Sequence, residues 1–155
     1  MMTKHNLPRW IVVGFLSGAV SVLLCHQVIA ALLHAIGITP RVPYSMQPTR
    51  PLGVALLWSL VFWGGVWGVV LAASLRSLAD SALVITATIF GALFPTLVAW
   101  TLVASMKGQP LFAGGAPKAM MVGLLVNAAW GLGTGTGLAL FGRQRRWNIA
   151  HRLTL

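Results

Sequence analysis

The chain has 155 residues, 57% of them hydrophobic and only 8% charged, and carries a formal net charge of +10 from eleven Lys and Arg against one acid, Asp80. Soluble domains carry about 25% charged residues, so this composition excludes an ordinary water-soluble globule. The basic residues form no continuous face and stand in short gaps between apolar runs, where phospholipid headgroups lie. The partner they imply is a bilayer with anionic headgroups, not nucleic acid. One cysteine, Cys25, rules out an internal disulfide and any activity that needs paired thiols.

Four segments are long enough to cross a bilayer, for which about 20 apolar residues suffice. They run over 10–36, 52–75, 81–105 and 117–141, with a basic tail over 142–155. Backbone amides inside hydrocarbon must bond within their own segment, so the spans are expected to be helices. The fold class expected is an all-α integral membrane protein, a single-domain bundle of four transmembrane helices. The first run extends to Ile36, too long for the core of a signal peptide, and is expected to be an uncleaved span.

The first span opens near Trp10, expected at the inner interface, and carries Gly14 and Gly18 four residues apart. Small residues at that spacing let helix backbones approach closely. His26 lies sixteen residues beyond Trp10, about 24 Å along a helix, and His34 about 12 Å further. His26 and Gln27 are therefore expected in the outer half of the membrane and His34 at the outer headgroups.

The first outer connection holds four of the chain's eight prolines, Pro40, Pro43, Pro48 and Pro51. Proline fixes φ and removes a donor, which predicts a stiff extended segment, with Tyr44 and Met46 folding back onto the helix ends. The second span carries Trp63 and Trp67 on one face and Gly64 and Gly68 beside them. A short inner link, Arg76 to Asp80, predicts that spans two and three are antiparallel neighbours. Pro95 interrupts the third span. The fourth starts at Pro117, a favourable first-turn proline, and repeats small or polar residues at Gly123, Asn127, Gly131 and Gly135.

Lys and Arg divide unevenly. Lys4, Arg9, Arg76, Arg143, Arg145, Arg146 and Arg152 fall on one side, and Arg41, Arg50, Lys107 and Lys118 on the other. The positive-inside rule then places both termini in the cytoplasm and the protein in a bacterial-type inner membrane. In the tail, Arg143, Arg145, Arg146 and Trp147 are suited to contact lipid headgroups. A weak two-plus-two repeat shows in Ser45-Met-Gln-Pro48 against Ser105-Met-Lys-Gly-Gln-Pro110.

Polar residues inside a membrane are functional candidates because they are costly there. The candidate ligand contacts are His26, Gln27, His34, Trp63, Trp67 and Asn127. The competing expectation is that Gln27 and Asn127 join helices by hydrogen bonds, Gln27 to backbone bared beside Gly123, and that the tryptophans pack. His26 and His34 sit on one helix at different depths, which is poor for haem, and no metal-ligand spacing appears. With the single acid remote from His26, no catalytic set assembles, so no enzyme activity and no required cofactor are expected. The function expected is a structural or accessory subunit packing through its Gly-rich faces, as a homo-oligomer or in a larger complex. The alternatives are a small-solute transporter or channel with an outward pocket near His26 and Gln27, and a haem-, quinone- or lipid-binding protein.

Overall fold

A computed structural model describes residues 7–49 and 52–142. It contains four helices long and apolar enough to cross a membrane, and no strand among those residues: α1 (Leu7–Ala35), α2 (Leu56–Leu75), α3 (Asp80–Met106) and α4 (Pro117–Gly142). This is the architecture of a multi-pass membrane protein. The observed helices lie within a few residues of the expected spans. The largest difference is at the start of α2, where Leu52–Ala55 belongs to a turn instead. The basic tail lies outside the described residues.

The helices are held by close backbone approach. A β-carbon on Gly14 would stand 2.6 Å from Ala72 Cβ and 2.7 Å from the Gly68 carbonyl, and one on Gly18 would fall on the Gly64 carbonyl. The α1–α2 crossing therefore exists only because Gly14, Gly18, Gly64 and Gly68 are all glycine. A second crossing joins α3 and α4: a β-carbon on Gly131 would fall on the Ala87 carbonyl, and one on Gly135 2.7 Å from Ala87 Cβ. Gly91 of α3 meets Asn127 and Gly131 of α4. The other small row of α4 faces α1, with Gly133 against Ser21 and Cys25, and Gly137 against Ser17. The Gly-rich faces of spans one and two meet each other, whereas the stripe of span four at Gly123, Gly131 and Gly135 packs on α3, and α4 reaches α1 through Gly133 and Gly137.

The order around the bundle is thus α2, α1, α4, α3. Helices α2 and α3, though joined by a short link, share little contact. They touch through Trp67 and Phe90, edge to face with ring centroids 5.9 Å apart. The expected neighbours are neighbours in the ring, but the glycine pairs decide which helices interlock.

Buried tryptophans fill the centre. Trp10 is fully buried, donates its indole N–H to the Ala72 carbonyl at 2.6 Å, and lies across Gly142. It locks α1 to α2 and α4 and is not an exposed interface anchor. α1 spans 29 residues, about 43 Å of helix, longer than the roughly 30 Å of hydrocarbon, and the end of α4 covers its first turns at Gly142. Three π-turns, at Val22–His26, Ala99–Val103 and Leu138–Gly142, widen the helices locally.

Candidate functional site

The loop end of the bundle is built around Gln27. Its side chain is 4% exposed. Gln27 follows directly on the π-turn at Val22–His26, and its Oε1 accepts the backbone N–H of Tyr44 at 2.7 Å. Tyr44 has φ of 52°, a left-handed conformation unusual for a residue with a β-carbon. That conformation lets its hydroxyl reach back 21 positions along the chain and donate to the Leu23 carbonyl at 2.8 Å while its own N–H meets Gln27, 17 positions back. The Pro-rich connection is therefore latched onto α1 by one residue through two bonds. Met46 lies on the outside, 57% exposed. Gln27 finds a backbone donor as expected of a buried amide, but in the loop and not beside Gly123.

His26 is half-buried, and its Nδ1 accepts from Gln27 Nε2 at 3.4 Å. His34, two turns on, donates from Nδ1 to the Thr39 carbonyl at 3.0 Å and closes the end of α1. The two histidines thus have separate local partners. Among the described residues no three His, Cys, Asp or Glu side chains come together.

Asn127 faces the other way, towards α3. Its Nδ2 donates to Thr96 Oγ1 at 2.9 Å, and that hydroxyl donates to the Gly123 carbonyl at 3.4 Å. Thr96, 1% exposed, follows Pro95, and the helix runs unbroken through both, so the polar contact to α4 stands beside the proline in a continuous α3. Counted from the loop ends of their helices, Gln27 is eight residues from Ala35 and Asn127 ten from Pro117, about 12 and 15 Å. Counted this way, the two lie at similar depths. They still bind different partners on different faces.

Trp63 is 56% exposed and sits edge to face with Phe62 on the outside of α2. Trp67 is turned inwards against Phe90, so the two tryptophans do not form one wall. A hollow of about 460 Å³ lies elsewhere, at the loop end between the two connections. Gln47, Pro48 and Thr49 line one side and Met106, Lys107 and Gln109 the other, with Leu56 at the base. Sequence reasoning singled out the similar motifs that supply most of this lining but not the space between them. The signal was present in the recurrence of Ser-Met and Gln-Pro at both connections.

No family model, no curated protein and no solved structure matches the chain.

Proposed function

We propose that this is a non-catalytic structural or accessory subunit of a bacterial-type inner membrane, with both termini cytoplasmic, acting as a homo-oligomer or within a larger membrane complex. One observation carries the reading: among the described residues no buried side-chain nitrogen or oxygen lacks a hydrogen-bond partner. The fully buried groups that could have formed a polar path or a reactive centre inside the bundle are already bonded within the chain. Gln27 holds Tyr44, Asn127 holds Thr96, and Ser21 donates to the Trp130 carbonyl at 2.7 Å. A transport path needs polar groups free to exchange partners with a solute, whereas a fixed building block needs them satisfied. The seven-to-four division of Lys and Arg supports the orientation. The pairing of α1 with α2 and α3 with α4, each through glycine, favours a two-plus-two duplication.

Native co-purification in mild detergent tests the subunit reading. A second copy or a stoichiometric partner is the expected result; a monomer that brings down nothing overturns it. Variants for mapping the contact belong on the outside, at Trp58 or Trp63, both more than half exposed. Gly131 packs against Ala87 within the chain, so a substitution there reports on folding and not on assembly.

A further inference from the structure

We propose that the hollow between the two connections binds the headgroup of an anionic phospholipid drawn from the surrounding bilayer. Among the described residues, the lining holds one cation, Lys107, two amides, Gln47 and Gln109, and no carboxylate. The chain's single acid, Asp80, begins α3 at the opposite end of the bundle. The field in the hollow is therefore of one sign, and its donors suit a phosphate: an ammonium for the charge and amide N–H groups for the remaining oxygens. Its volume is that of a small-molecule site.

Position favours a lipid over a soluble anion. Leu56 is the first residue of α2 and Met106 the last of α3, so the hollow stands where two membrane helices meet the headgroup layer. Met106 is 73% exposed, so one wall of the hollow continues onto the outer surface of the bundle. Below it, α2 and α3 share little contact. They are linked at the far end and touch through Trp67 and Phe90, and Phe94 stacks on Phe90 one turn nearer the hollow with its ring 53% exposed. From Met106 to Phe94 is about 18 Å of helix, comparable with one leaflet of hydrocarbon, about 15 Å. A headgroup in the hollow would lay its acyl chain along this aromatic furrow. Both similar motifs contribute: Gln47 and Pro48 come from Ser45-Met-Gln-Pro48, and Met106, Lys107 and Gln109 from Ser105-Met-Lys-Gly-Gln-Pro110. This inference is independent of the subunit reading, since a monomer can hold a lipid.

The test is native mass spectrometry of the full chain in neutral detergent with added phosphatidylglycerol or phosphatidylcholine. One phosphatidylglycerol should be retained in preference to phosphatidylcholine. Lys107→Gln should weaken that retention about fivefold, as loss of one partly exposed charge-assisted bond implies. Met106→Trp, which places bulk at the mouth and keeps the charge, should weaken it as well. Lys118→Gln removes an exposed charge at the same end, outside the hollow, and should leave retention unchanged. Four results overturn the proposal: equal retention by Lys107→Gln and the unaltered chain, equal loss in Lys118→Gln, no preference between the two lipids, or displacement of phosphatidylglycerol by millimolar glycerol phosphate alone, which would assign the hollow to a soluble phosphate ester. Should Met106→Trp fail to fold, the two lysine variants decide.

Discussion

Trp130 of α4 donates its indole N–H to the Gly18 carbonyl of α1 at 2.9 Å, and its nitrogen would stand 3.2 Å from a β-carbon on Gly64 of α2. One side chain thus ties three helices at the point where α1 and α2 are closest. The bond is reciprocated, because Ser21 of α1 donates to the Trp130 carbonyl and Thr134 shares that acceptor at 2.8 Å.

Trp130→Phe is expected to destabilise the bundle by about 1–3 kcal/mol, combining the lost interhelical bond with the space left by the smaller ring. Ser21→Ala should cost about 0.5–1.5 kcal/mol, since the Trp130 carbonyl keeps Thr134. Reversible unfolding in mixed micelles with added SDS, followed by helical circular dichroism, measures both. Equal and negligible losses would mean that this junction does not hold the helices.

Gly131→Ala and Gly137→Ala place the same methyl group on the same helix, yet should differ. The new carbon at Gly131 falls on backbone, the Ala87 carbonyl, which yields only if α3 and α4 separate. At Gly137 it meets the Ser17 side chain, with Oγ at 2.5 Å and Cβ at 2.8 Å. Overpacking typically costs about 1–3 kcal/mol, and Gly131→Ala should lie at or above the upper end. Gly137→Ala should be milder and should recover in the double variant with Ser17→Gly, which moves the small residue from one helix to the other. The same unfolding assay ranks the three variants.

The four spans were legible in the sequence because hydropathy over about 20 residues is a strong, local signal. The glycine spacings fall at close backbone approaches in the bundle. Partner choice was not legible, since Gly64 and Gly131 look alike as sequence but face α1 and α3. The Gln27 latch was hidden for a different reason. It depends on Tyr44 adopting a left-handed φ, which the side chain itself disfavours and only the assembled loop end compensates. The same holds for Phe112 and Ala113, whose φ of 49° and 55° belong to a left-handed turn that brings Phe112 to Trp100, ring centroids 6.2 Å apart. Trp10 gives depth counting no fixed origin, because α1 is longer than the hydrocarbon is thick.

Gln27→Leu should release the Pro-rich connection without unfolding the bundle. The Tyr44 N–H then loses its acceptor, and the left-handed backbone at that residue keeps only the hydroxyl bond to Leu23. Amide hydrogen exchange at Tyr44 is expected to quicken by about tenfold or more, the equivalent of about 1.4 kcal/mol. Tyr44→Phe, which removes the other bond, should have a smaller effect. Exchange in the middle of α4 should stay as it was, so that a uniform increase along the chain would indicate global destabilisation and not an opened latch.

Asn127 and Thr96 allow the fixed-scaffold reading to be tested at the residue most suited to a polar pathway. Their 2.9 Å bond joins α3 to α4 just past Pro95. In a double-mutant cycle with Asn127→Leu and Thr96→Val, the coupling should be about 0.6 kcal/mol, the average for side-chain bonds between membrane helices, and no more than about 1.7 kcal/mol, the largest value found. On the scaffold reading, a group engaged in this way is held by protein. In sealed liposomes, therefore, Asn127→Leu should lower stability while leaving proton and small-ion leak at the level of the unaltered chain. Zero coupling together with a changed flux would reverse the assignment, making Asn127 part of a path and its contact with Thr96 incidental.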